Sequence, residues 1–318
     1  MAAVHVEGSA PGKVIVCGEH SVVYGRPAIA VPVSDLRAQA VIAGAPPGRG
    51  FRIVAVDLDE ALALDAAPTA HPLASIVRLT LAHLHVEAPD ATLTVRSDLP
   101  IGAGLGSGAA VSVAVVRALA ACVGREITVD AISALTYEVE KIHHGTPSGI
   151  DNTVVAWERP VYFVKGTAPE VFTIGAPLHL LIADSGIGGS TRDAVSGVRR
   201  RWERTRPAYE ARFDRMGVIA EAARRAIARG DRSRLGALLD ENHALLQEIG
   251  VSIPALDRLV AAAREAGALG AKLTGAGRGG NVIAVAPKEG SVSIAQALKQ
   301  AGAVRVWQTT VGGESRDV

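Results

Sequence analysis

The segment Asp98-Leu-Pro-Ile-Gly-Ala-Gly-Leu-Gly-Ser-Gly-Ala-Ala110 constrains this chain more than any other. It follows a strand-like run, Thr92–Ser97, and opens a small-residue pattern, Ala109 to Val123, that predicts a helix ended by Gly124. Four glycines between positions 102 and 108 carry a conformational-entropy cost that a plain turn does not require. Bare backbone lets an anion approach closely, and the first N–H groups of a helix stand unpaired at its positive end. A phosphate chain is the natural occupant, and a turn in which Ser107 merely caps the helix is the alternative. A Walker loop would need Gly-Lys-Ser/Thr, and no lysine is present. Gly104-Leu-Gly106-Ser-Gly-Ala109 fits a dinucleotide fingerprint, but that fingerprint requires a second strand ending in an acidic residue about 20 positions on. Here Glu126 falls between a helix end and the next helix start, so the dinucleotide reading fails.

The 318 residues suggest two domains at about 150 residues each. A hydrophobic share of 48% supplies a packed core and excludes a disordered chain. With 33 basic and 32 acidic residues there is no overall field to gather nucleic acid or acidic lipid. Cys17 and Cys122 are the only cysteines, which excludes a disulfide scaffold and a cysteine-rich metal site. The first residues lack a basic segment followed by an apolar run. The most apolar stretch, 109–123, is broken by Ser112 and Arg117 and is short of a membrane span. A cytoplasmic protein is expected.

Short strands are expected at Lys13–Cys17, Ala28–Val33, Arg37–Ile42, Phe51–Asp57, Thr92–Ser97, Val161–Val164 and Leu178–Ala183. A helix is expected from about Asp130 to His144, stopped by Gly145 in a left-handed position. Beyond these the chain is more helical. Tyr209, Phe213, Met216, Ala220, Ala223 and Ile227 form one stripe between Pro207 and Gly230. Leu235, Leu238, Leu239, Leu246 and Ile249 form another, and Leu256–Ala266 a third. Strands at Val282–Ala286 and Val304–Val311 flank a short helix near Val292–Gln300. The run Arg199–Arg206 contains Glu203 and precedes Glu210 and Asp214, so it reads as a solvated helix start and not as a nucleic-acid patch. Strands and helices mix without a βαβ repeat, which favours α+β over a doubly wound sheet. A Gly/Thr/Ala/Pro stretch at 165–175 marks the expected boundary, giving domains 1–168 and 169–318.

Four separated segments together resemble the GHMP kinases. They are Ala10-Pro-Gly-Lys-Val-Ile-Val-Cys-Gly-Glu-His-Ser-Val-Val-Tyr-Gly25, the glycine loop, Glu140-Lys-Ile-His-His-Gly-Thr-Pro-Ser-Gly-Ile-Asp-Asn152 and Lys272-Leu-Thr-Gly-Ala-Gly-Arg-Gly-Gly280. Their order and spacing fit that family across nearly the whole chain. Gly-Glu-His followed by Ser-Val-Val-Tyr-Gly is the most specific match, and it is similar to the version in members that act on mevalonate. The resemblance implies a two-domain α+β fold, with a ribosomal-protein-like N-terminal domain and a ferredoxin-like C-terminal domain. It implies ATP as co-substrate, Mg²⁺ as the metal, and phosphorylation of the primary hydroxyl of mevalonate to 5-phosphomevalonate in isoprenoid precursor synthesis. The alternatives are phosphomevalonate, galactose or homoserine as acceptor, or a non-catalytic nucleotide-binding regulator. Homodimers are common among similar enzymes.

Site residues follow from the same resemblance. Asp151, after the turn-rich Pro147-Ser-Gly-Ile150, matches the catalytic aspartate; on the residues alone, an aspartate before Asn152 reads as a turn cap. Lys13, one of six lysines against 27 arginines, matches a lysine close to that aspartate. A cation there keeps the carboxylate ionised and favours a developing alkoxide. Glu140 matches the metal-binding glutamate, and Mg²⁺ needs few protein oxygens beside phosphate and water. The family loop commonly reads Gly-Leu-Gly-Ser-Ser, and its second serine contributes to the metal site. This chain has Gly108 there, so Ser107 or water takes the ligand position, or the metal rests on Glu140 and the phosphates alone. Ser97 and the loop residues Gly102, Ala103, Gly104, Leu105, Gly106, Ser107 and Gly108 match nucleotide contacts. Glu19, His20 and Thr191 match acceptor positions. His20 would bind a carboxylate or a hydroxyl according to its protonation, and Thr191 would also suit a helix N-cap. Thr274–Gly280 is expected to line the site, with Arg278 where the family has glycine and Asn281 where cysteine is common. That arginine touches phosphate or an acceptor carboxylate, or points to solvent.

Overall fold

The computed structural model describes residues 5–100, 102–144 and 147–312. They form two compact units: one from described residues within 1–12, 36–101 and 106–158, the other from 13–35, 102–105 and 159 onward. Strands β1 (His5–Cys17) and β2 (Ala28–Gly44) each contribute to both.

In the first unit, β3 (Phe51–Ala55) pairs antiparallel with β4 (Glu60–Ala63). A parallel neighbour cannot be reached by a hairpin and needs a crossover. The helix α1 (Pro72–Leu84) supplies one, leading to β5 (Ala91–Ser97), which lies parallel to β3. The sequence pattern does not reveal α1, because Ser75 and Thr80 interrupt its apolar stripe. Both are buried yet satisfied locally: Ser75 Oγ donates to the Thr69 carbonyl at 2.9 Å and Thr80 Oγ1 to the Ile76 carbonyl at 2.7 Å. The C-terminal half of β2 pairs antiparallel with β5, Ala38 opposite Ser97 and Gly44 opposite Ala91.

Three helices complete this unit: α2 (Ser107–Cys122), α3 (Val129–His144) and α4 (Ile150–Trp157). The first two match the expected helices, although Gly145 lies outside the described residues. The third opens at Ile150, so Asp151, after the turn-rich residues 147–149, stands at a helix start. The small residues of α2 have a packing cause. A Cβ at Gly8 of β1 would lie 2.3 Å from the Ala114 carbonyl oxygen and 2.5 Å from the Ala118 nitrogen, so strand and helix backbones meet directly. Arg117 on α2 then closes the edge, donating to the Ser9 and Ala156 carbonyls at 2.7 and 2.9 Å and pairing with Glu158.

The second unit continues with β6 (Val161–Phe163), β7 (Glu170–Val171), β8 (Leu178–Asp184) and the helices α5 (Thr191–Arg204), α6 (Arg206–Arg229), α7 (Arg232–Glu248) and α8 (Pro254–Glu265). It ends with β9 (Gly270–Thr274), β10 (Asn281–Ala286), α9 (Ser291–Gln300) and β11 (Arg305–Val311). The antiparallel sheet order is β11-β8-β10-β9. Phe213 and Met216 of α6, Leu246 of α7 and Leu256 and Leu259 of α8 pack with Leu273, Val282 and Ala284 of the sheet.

Two expectations need correction. The strands expected at 28–33 and 37–42 are one strand of 17 residues. Pro32 falls between the part that pairs with β6 (Ala28–Ala30) and the part that pairs with β5 (Ala38–Gly44), so its missing N–H costs neither ladder a bond. The Arg-rich run is also not a helix start: 199–204 form the last turns of α5, and Arg206 opens α6 ahead of Pro207.

Gly8→Ala should overpack the β1–α2 crossing and lower stability by about 1–3 kcal/mol, read as a lower denaturant midpoint at an unchanged m-value.

Candidate active site

The glycine loop is built to expose amides. Gly102, Gly104 and Gly106 have φ of +73°, +76° and +75°, while Ala103 and Leu105 between them are not left-handed. Alternation of this kind turns successive N–H groups toward one concavity. The loop carbonyls are held from behind: the Leu105 oxygen accepts from the Lys13 N–H at 2.8 Å, and the Ala103 oxygen accepts from Asn281 Nδ2. A Cβ at Gly102 or Gly104 would meet nothing within 4 Å, so that side is open. The first backbone bond of α2 runs from the Ala110 N–H to the Gly106 carbonyl at 2.9 Å. The N–H groups of Ser107, Gly108 and Ala109 therefore precede it. Ser107 is not the N-cap: Gly106 occupies that position and Ser107 is the first helical residue. A polyanion fits this cradle.

The strand expected from Lys13 to Cys17 is the C-terminal part of β1. Lys13 lies inside β1 and is 3% exposed. Glu140 is buried on α3, one turn before the end of that helix, and Asp151 is half-buried as the second residue of α4. Ser97 ends β5, where its Oγ accepts from the Leu99 N–H at 3.2 Å. The residues that the resemblance assigns to Mg²⁺, Glu140 and Ser107, carry a carboxylate and a hydroxyl and both belong to the first unit. No group of three His, Cys, Asp or Glu that could hold a metal occurs among the described residues. Hard oxygens in so sparse a set suit a Mg²⁺ ion that keeps phosphate oxygens and water.

The Gly-Glu-His segment is a packed corner. Gly18 has φ of +97°, and a Cβ there would lie 2.5 Å from the Pro27 carbonyl oxygen. Glu19 is 2% exposed; one carboxylate oxygen pairs with Lys272 and the other accepts from Asn242 Nδ2 at 3.3 Å. His20 follows with φ of +61°, a strained value for a side-chain-bearing residue. Its Nε2 lies 2.9 Å from the Ala276 carbonyl, which can only accept, so Nε2 carries the proton. Burial pushes the ring pKa down to about 4, with Arg201 and Lys272 adding to the effect against the Ala276 bond. The ring is thus neutral at pH 7, with Nδ1 as an acceptor. This favours a hydroxyl partner over the carboxylate partner considered above. Tyr24, ending the next short turn, stacks on Phe213 at 4.3 Å and serves packing. Thr191 is the exposed first residue of α5; the N-cap is Ser190, whose Oγ accepts from the Asp193 N–H at 3.2 Å.

Sequence reasoning gave no role to Lys272, Asn242 or His243. Lys272 and Asn242 are fully buried. His243 accepts from the Leu273 N–H at Nδ1 (3.3 Å) and donates from Nε2 to Asp257 (3.1 Å), with its pKa pushed by burial to about 4. The available signal was a lysine inside the strand-like Gly-Ala-Lys-Leu-Thr, in a chain that otherwise prefers arginine.

The family model for the GHMP kinases N terminal domain matches residues 73–158, and the model for GHMP kinases C terminal matches 223–304. The chain is 38% identical over 320 residues to a mevalonate kinase of Thermococcus sibiricus, covering 95% of each. It is 37% identical over 317 residues to that of Thermococcus onnurineus, covering 93% of each. Among solved structures, that of L. major mevalonate kinase in complex with R-mevalonate superposes with a TM-score of 0.86 at 28% identity, covering 98% of both chains. The chain belongs to the GHMP kinases. Its fold is the two-domain α+β fold of that family.

In this GHMP kinase, Lys272→Met should cost about 3–5 kcal/mol by leaving a buried carboxylate unpaired, and Glu19→Gln with Lys272→Met should recover most of it. Stability should also depend on pH through His20 and His243. The unfolded chain binds those protons below about 6.5, whereas the folded chain resists them until about 4. The melting temperature should therefore be flat with respect to these groups above 6.5 and fall as pH drops from 6.5 toward 4.

Proposed function

We propose that this chain transfers the γ-phosphoryl group of ATP to the primary hydroxyl of mevalonate, a step of isoprenoid precursor synthesis. The observation that carries the reading is the Gly-Glu-His corner, built as a neutral hydroxyl acceptor in a chain whose full-length relatives are named mevalonate kinases. The reaction is placed in the cytoplasm; none of the described helices is long and apolar enough to cross a membrane.

Phosphoryl transfer asks mainly for positioning and charge neutralisation. The amides of residues 102–108 and the α2 N-terminus hold the phosphates, and Ser97 steadies the approach to the loop. His20 Nδ1 accepts a hydroxyl of the acceptor, with Thr191 as a further hydroxyl contact. Asp151 orients the attacking hydroxyl and takes its proton, while Lys13 balances the carboxylate and the developing alkoxide. Glu140, with Ser107 or water, would hold Mg²⁺, which supplies neutralisation of phosphate charge.

The test is an ATP-coupled assay with mevalonate, phosphomevalonate, galactose and homoserine. Turnover of mevalonate above the others is expected; turnover of another acceptor alone would replace the substrate, and none at all would favour a nucleotide-binding regulator. Asp151→Asn should keep nucleotide affinity and lose at least ~10²-fold in kcat. A near-normal kcat would remove Asp151 from this role.

A further inference from the structure

Arg278 places a long side chain on a backbone conformation that suits glycine. Its φ is +58°, in the left-handed region that a side chain crowds, and its N–H is fixed to the Val251 carbonyl at 2.7 Å. The turn keeps a glycine conformation with an arginine placed on it. That side chain reaches back to α5. A Cβ at Gly197 would lie 3.6 Å from Arg278 Nη1 and 3.4 Å from Arg201 Nη1, so two guanidinium groups converge on one bare helical Cα.

Arg201 is anchored in place by neutral acceptors. Its Nε donates to the Tyr209 hydroxyl at 3.1 Å, and Nε and Nη2 donate to the Ile249 carbonyl at 3.2 and 2.8 Å. These bonds fix the group without cancelling its charge. A cavity of about 500 Å³ opens along this face of α5, lined by Gly197, Arg200, Arg201, Glu203 and Arg204. Its carboxylate, Glu203, is already taken by Arg199 at 3.1 Å. Among the described residues neither Arg201 nor Arg278 forms an ion pair with a carboxylate, and two such cations beside one glycine repel unless an anion joins them. Arg278 stands two residues beyond Ala276, whose carbonyl accepts from His20 Nε2 at 2.9 Å. The cationic spot and the hydroxyl acceptor therefore belong to one neighbourhood of the second unit.

We propose that Arg278 and Arg201 together receive the carboxylate of the acceptor, and that Arg278 is a specificity-determining residue. Paired guanidinium groups match a carboxylate in both charge and fork geometry. The inference rests on the function proposed above, and its test separates the two.

Arg278→Gly and Arg278→Gln are compared with the parent chain in steady-state kinetics. The KM for mevalonate should rise about 10- to 100-fold, the scale of a charged hydrogen-bonded contact, with the KM for ATP unchanged and kcat within about threefold. With 3-methylpentane-1,3,5-triol, in which the carboxylate is reduced to an alcohol, parent and variants should show the same KM. Arg278→Gly should also melt higher than the parent, because glycine relieves the left-handed strain. An unchanged mevalonate KM in both variants, or an equal rise with the triol, overturns the proposal while leaving the kinase function intact. A parent enzyme that turns over another acceptor but not mevalonate overturns the proposed function, and this inference with it.

Discussion

A carboxylate and an ammonium removed from water survive only as a pair, and in this chain that pair, Glu19 with Lys272, joins two motifs 253 residues apart. Its consequence is geometric more than energetic. Glu19 stands just past the end of β1 and Lys272 in the middle of β9, so their union fixes one end of the first motif against the strand that leads into the fourth. Thr274 Oγ1 repeats the tie two residues on, donating to the Ile15 carbonyl at 2.8 Å. With the strands locked, the turn after Thr274 can present the Ala276 carbonyl to His20 and so choose its tautomer. Asn281, opening the next strand, reaches the Ala103 carbonyl and turns the glycine loop outward. An acceptor group and an anion cradle are thus oriented by one buried scaffold.

The glycines of this region divide by cause. A Cβ at Gly277 would lie 2.3 Å from the Val251 carbonyl oxygen, and one at Gly279 would lie 2.3 Å from the Ile187 carbonyl oxygen. The protein itself demands glycine there. At Gly102 and Gly104 a Cβ would meet no protein atom within 4 Å, so neighbours do not explain them. Their left-handed φ values do, because alternating handedness converges the amides on one point. An arrangement that packing does not require, with carbonyls pinned away from the open side, is a reason to place a ligand there.

What could be read from the sequence follows the range of the interactions involved. The helix α2 was legible because its cause is local: a glycine-rich start, a run of small apolar residues and a terminating glycine. Most of the strands and the apolar stripes of α6, α7 and α8 were legible for the same reason. The helix α1 was hidden by Ser75 and Thr80, whose hydroxyls are satisfied by carbonyls that exist only once the helix and its preceding turn have formed. The continuity of β2 through Pro32 was hidden because the ladders on either side of that residue belong to different partner strands. In the site, motif resemblance located Glu19 and His20 but could not say that Glu19 is spent on Lys272 and Asn242. Nor could it give the tautomer of His20, which depends on a carbonyl 256 residues away.

That tautomer bears on how a small hydroxy acid can be told from a sugar or an amino acid. A protonated histidine would attract any anion, a phosphate as readily as a carboxylate. Held neutral, with Nε2–H committed to a backbone carbonyl, the ring offers a single lone pair and therefore selects a hydroxyl donor. Recognition of the acceptor's negative charge must then come from elsewhere, and a permanently charged group supplies it without titrating. Arginine meets that requirement at any physiological pH. A neutral imidazole for the alcohol and a guanidinium pair for the acid place two different recognition tasks on two chemically distinct groups, and the strain retained at Arg278 is what such a division costs.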